Sequence, residues 1–124
     1  MLPVIDPYVL GRLGVELGDH RAATRVAGRF LSLLDSRTLR MQRAVDARDT
    51  ADALDCVLSL KVTSSMLGGR RLQDRAERLE AALRAGVWPE TTVALTALLD
   101  EVAPLARQLQ ALRADLDLRA GRQR

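Results

Sequence analysis

The stretch Leu54–Leu72, LDCVLSLKVTSSMLGGRRL, limits the folds open to this chain more than any other. The pair Gly68-Gly69 separates two helix-forming segments, and glycine accepts the positive φ that closes a helix at little cost. At 100° per residue, Ala53, Val57, Leu60, Ser64 and Leu67 fall on one side of the first segment. That side suits a helical core: apolar, with one small serine where helices approach closely. Leu54, Leu58, Lys61, Val62 and Ser65 fall on another side, roughly 150° away. A solvent side with two leucines and a valine beside one lysine is expected to contact something, so these five residues form the candidate partner-binding site.

The flanking segments are helical by the same test. Asp6-Pro7 supplies an N-cap and a first-turn proline. A short helix is expected from there to about Leu17, with Ile5, Leu10, Leu13 and Leu17 as its apolar residues, and Gly11 and Gly14 weaken it. Gly18 ends it and Asp19 caps the next helix, about His20 to Ala47, which turns Ala23, Val26, Ala27, Phe30, Leu34, Met41 and Ala44 inward. Asp35-Ser36 is expected to loosen that helix locally. Arg21, Arg25 and Arg29 recur every four residues along it, which fits either a docking strip for an acidic partner or an ordinary solvated face.

Asp49-Thr50 restarts the chain as a third helix, and a fourth follows from Arg70 to about Ala85, burying Leu72, Ala76, Leu79 and Leu83. Trp88 is expected to plug one end of the molecule. Pro89 opens a last helix to about Leu118, with Leu95, Leu98, Val102, Leu105, Leu109, Leu112 and Leu116 as a heptad-like seam. Pro104 should kink it. Residues 119–124 read as a frayed tail. The expected architecture is all-α: an antiparallel up-down four-helix bundle with a short additional N-terminal helix, as a single domain over residues 1–124.

Composition narrows the function classes. Apolar residues make up 48% and charged residues 28%, which favours a globular chain over a disordered one. No apolar run approaches the ~20 residues of a membrane span. MLPVIDPY carries neither a basic leader nor a long apolar segment, and a lone cysteine forms no internal disulfide, so a cytoplasmic location is expected. Nineteen basic against sixteen acidic residues, interleaved, give no one-signed patch for nucleic acid. Eighteen of the basic residues are arginine; Lys61 is the single lysine.

The order Leu58-Ser59-Leu60-Lys61-Val62-Thr63-Ser64-Ser65-Met66-Leu67-Gly68 resembles the motif of histidine phosphotransfer (HPt) domains, His-x-Leu-Lys-Gly-Ser-Ser followed by Leu-Gly and a basic helix start. Leu60, Lys61, Ser64, Leu67 and Gly68 match it, whereas Leu58 occupies the phosphoacceptor position and Val62 replaces a glycine. Leu17-Gly18-Asp19, Phe30-Leu31, Asp49 and Leu79-Glu80 also look like family landmarks, so the likeness covers roughly residues 5–110. It implies a phosphorelay bundle whose partners are response-regulator receiver domains or histidine kinases. The departures at Leu58 and Val62 imply a member that binds without taking up phosphate.

Chemistry at the motif supports the same expectation. Phosphoryl transfer needs a nucleophile in line with phosphorus, and a leucine side chain has no lone pair to offer. His20 is the only histidine and is expected at the exposed start of the second helix. Cys56 lies about 160° from Leu58 around the helix, as a packed small hydrophobe. Ser59, Thr63 and Ser65 carry hydroxyls without an evident paired base, and hydroxyls within helices commonly bond their own backbone. No metal-ligand spacing and no phosphate-binding glycine loop occur, so no enzyme, cofactor or metal is expected. Lys61 is either a retained contact for an acidic pocket or an ordinary surface lysine. For Leu54, Leu58 and Val62, docking competes with cover by the first helix and with a homodimer. A self-associating adaptor with no receiver partner is the second functional expectation.

Overall fold

The computed structural model describes residues 1–122, with His20 and residues 119–122 described by their backbone alone. The fold is all-α. Six helices follow one another: α1 (Pro7–Glu16), α2 (His20–Asp46), α3 (Thr50–Leu67), α4 (Arg70–Ala85), α5 (Trp88–Leu99) and α6 (Val102–Arg122). Among the described residues no helix is long and apolar enough to cross a membrane.

The helix starts follow from local chemistry. Asp6 Oδ1 accepts from the Tyr8 amide, Asp19 Oδ1 from that of Arg21 and Asp49 Oδ1 from that of Asp52, so three helices open on a capped amide. Gly68 and Gly86 close α3 and α4 in the left-handed conformation, at φ 78° and 71°. The α2–α3 turn makes the same move without a glycine, placing Arg48 at φ 52°. Arg48 then lies 5.7 Å from the centre of the Trp88 ring, a cation–π contact that ties the turn to the start of α5. Trp88 itself is half-buried against the core, in keeping with a plug.

Helix α3 lies between α2 and α4; α4 continues its packing onto α5, while α6 lies along α2. Buried side chains from all six helices join one core, with Leu10, Met41, Val57, Leu60, Leu67, Leu72, Leu79, Leu98, Leu105 and Leu109 fully enclosed. The inward sets expected for α3 and α4 are all buried. In α2 they are buried too, except Val26, which is half-buried against the core.

Three local expectations are corrected. Leu17 is not part of the apolar face of α1; it is the C-cap residue and 50% exposed. Asp35-Ser36 does not loosen α2, which runs unbroken through them; its buried neighbours Leu34 and Thr38 hold this stretch on the core, and the Ser36 and Thr38 hydroxyls are satisfied by the Leu33 and Asp35 carbonyls of the same helix. The last helix is two helices and not one kinked rod. Pro104 has no amide to give the Asp100 carbonyl, and its ring crowds that carbonyl. The chain therefore tightens over Asp100-Glu101, where the Glu101 amide reaches back to Leu98, and regular bonding resumes from Leu105 to Glu101. The seam survives the break: Leu95, Leu98, Leu105 and Leu109 are buried, and Val102, Leu112 and Leu116 pack half-buried on the core. The expected frayed tail, residues 119–124, falls on residues whose side chains are outside the described set, and α6 reaches Arg122.

Candidate functional site: the outward side of α3

Helix α3 turns Ala53, Val57, Leu60, Ser64 and Leu67 into the core. Of the five candidate residues expected to face solvent only Val62 does so fully, and Leu54, Leu58, Lys61 and Ser65 are half-buried on its flank because neighbouring helices partly cover them. Their environments differ. Leu54 is half-buried and leans on the core. Leu58 is half-buried, neither enclosed in the monomer nor free of it. Val62 is 56% exposed and forms the open centre of this side. Ser65 is half-buried and lines a shallow groove between α1 and α3 with Val9, Arg12 and Met66.

Helix α1 and the segment before it meet α3 at its C-terminal end, around Gly68. The Asp6 amide donates to the Gly68 carbonyl at 2.7 Å, and Val9 and the Asp6 carbonyl crowd the space where a Cβ on Gly68 would sit. Val62, more than a turn upstream, remains open. Met66, one turn beyond Val62 and 46% exposed, extends the same apolar stripe. The 3.6-residue repeat from Leu58 through Val62 points straight to Met66, so the signal was present in the sequence.

Lys61 is engaged within the molecule. Its Nζ donates to Glu80 Oε1 of α4 at 2.7 Å, and Glu80 Oε2 accepts from Arg84 Nε at 2.9 Å. Held first by the Lys61 hydrogen bond and then by that of Arg84, the Glu80 carboxyl lies below its ordinary range. A partner's acidic group would therefore compete with Glu80 for the one lysine of the chain. Lys61 and Glu80, nineteen residues apart in the sequence, form a single contact between α3 and α4.

Other chemistry lies elsewhere. Cys56 is buried, and burial pushes its thiol above the ordinary value, against the nearby Arg40 guanidinium. Arg40 of α2 pairs with Asp52 and, at 3.3 Å, with Asp55 of α3. The Thr63 hydroxyl is spent on the Ser59 and Leu60 carbonyls, at 2.9 and 3.3 Å. His20 opens α2, and its side chain lies outside the described set. Among the described residues no group of three His, Cys, Asp or Glu side chains is placed to hold a metal ion. The open side of α3 is mixed: Val62 and Met66 are exposed beside Asp55 and Ser59, with Lys61 neutralised at its edge.

Comparison of the chain with protein-family models, with curated proteins and with solved structures returned no match.

Proposed function

We propose that this chain is a non-catalytic HPt-like signalling module that binds receiver domains, or the kinases that feed them, without accepting phosphate. In this proposal α2, α3, α4 and the α5–α6 pair are the four rods of an antiparallel bundle, α1 is the extra N-terminal helix, and the module works in the cytoplasm. One observation carries the proposal: Leu58, at the family's phosphoacceptor position, sits half-buried on the outward side of α3 beside the exposed Val62. The ion pair between Lys61, which matches the motif, and Glu80, a landmark of the likeness in the following helix, supports it, since the two are neighbours in space. Covering the remaining open surface of Val62 and Met66 is worth on the order of 1 kcal/mol each, enough to assist a docking interface.

The test uses purified receiver domains charged with labelled phosphate. The expected result is a complex in which Leu58→Asp weakens binding and no label reaches this chain. Leu58→His combined with Val62→Gly should gain acid-labile label. Label on the unmodified chain, or binding indifferent to Leu58→Asp, overturns the proposal.

The exposed Val62–Met66 stripe also favours a second reading, a self-associating adaptor. A concentration-dependent dimer on a sizing column that Leu58→Asp dissociates, with no receiver captured, selects the adaptor.

A further inference from the structure

A further surface, which shares Met66 with the outward side, lies on the α2 flank of α3. Val26, Phe30 and Leu33 of α2 and Met66 and Leu67 of α3 form an apolar trough, with Arg29 and Arg37 on its walls. Phe30 and Leu67 are buried and form the floor, whereas Val26 and Leu33 are half-buried and Met66 is open. The enclosed space is about 170 Å³, below the ~300–1,000 Å³ usual for a small-molecule pocket. It has room for an anchoring side chain or two.

The charge around this trough is one-signed. No acidic residue lines it. Like several other arginines of the chain, Arg29 and Arg37 pair with no described carboxylate; what sets them apart is that both border the same apolar trough. The two arginines stand eight residues apart on one helix, or ~12 Å at 1.5 Å per residue. Carboxylates seven to eight residues apart on a docked helix, ~11–12 Å along its axis, span a similar distance.

We propose that the α2–α3 trough is a docking site for an acidic amphipathic helix of a partner protein. One or two large apolar side chains of that helix enter between Phe30 and Met66, and Asp or Glu residues two turns apart pair with Arg29 and Arg37. Helix-in-groove recognition uses this division of labour, with apolar anchors for affinity and flanking charges for orientation and rate. Met66, unbranched and open, adapts to the shape of the anchor. The proposal does not depend on a receiver being the partner of the outward side of α3.

The probe is a synthetic peptide of about 18 residues, long enough to hold a helix in water, with Leu along one face and Glu two turns apart on both flanks. Fluorescence anisotropy should show saturable binding that weakens as salt rises. Arg29→Glu with Arg37→Glu should weaken it by about tenfold or more, with the thermal melting of the protein unchanged. Met66→Lys should weaken it too. Amide shift changes should centre on Val26, Phe30, Leu33, Thr63 and Met66. No binding, equal binding of a Lys-for-Glu peptide, equal binding by the charge-reversed variant, or shifts confined to other surfaces would each overturn the proposal. Leu58→Asp should leave peptide affinity intact, so failure of the receiver proposal and failure of this one give different results.

Discussion

Ser64 shows how narrow the tolerance is at the centre of α3. It is fully buried, and its hydroxyl is satisfied by the Leu60 carbonyl at 2.7 Å and more weakly by that of Lys61 at 3.2 Å. Small volume is what the position requires, and the hydrogen bonds remove the cost of a buried hydroxyl. Ser64→Ala should therefore shift unfolding free energy by less than ~1 kcal/mol. Ser64→Leu forces extra methylene groups into a closed core and should cost ~2–3 kcal/mol. Urea denaturation of the two variants decides this, and equal destabilisation would mean that the hydroxyl, not the volume, is what counts. The inward place of Ser64 could be read from its spacing with Val57, Leu60 and Leu67. The engagement of Lys61 by Glu80 could not, since nineteen residues and a helix reversal separate them.

At the scale of elements, the ends of α3 and α4 look alike in sequence and differ in consequence. Gly68 and Gly86 both hold positive φ, but around Gly86 there is open space. A Cβ on Gly68 would stand 2.7 Å from the Asp6 carbonyl and 2.9 Å from Val9 Cβ. Gly86→Ala should cost only the left-handed conformation, ~1–2 kcal/mol. Gly68→Ala adds steric displacement of α1, so its cost should exceed that of Gly86→Ala by ~1–3 kcal/mol. Amide exchange should show α1 opening first in the Gly68 variant. Equal costs would mean that α1 gives way freely. The division of the last helix into α5 and α6 belongs to this scale as well. Pro104 announced a disturbance, and the leucine seam announced continuity. The structure satisfies both, because α5 packs on α4 while α6 lies along α2, and a single straight rod is not needed to serve two neighbours.

For the molecule as a whole, acid stability tests the link between α3 and α4. The folded Glu80 carboxyl lies below its ordinary value of 4.5 through its bonds to Lys61 and Arg84. An unfolded chain lacks both partners and binds the proton more readily. The stabilisation is therefore fully present above the unfolded pKa and is lost as pH falls through the folded one. Glu80→Gln removes this contribution. The urea midpoint of the wild type should exceed that of Glu80→Gln near neutrality, and the gap should close on acidification below about pH 4.5. A gap independent of pH would show that the Lys61–Glu80–Arg84 cluster does not couple to folding. By itself the sequence determined the Asp-capped starts of α1, α2 and α3, the glycine-closed ends of α3 and α4, the inward stripes of α2, α3 and α4 and the outward place of Val62, because helix caps and a 3.6-residue repeat are local properties of the chain. Only the tertiary structure decided that Leu54 leans on the core, that Lys61 is held by α4, that α1 closes on Gly68, and that Arg29 and Arg37 border one trough. Each of those depends on which helices become neighbours, and that choice is made by the burial of a shared core and not by any one segment.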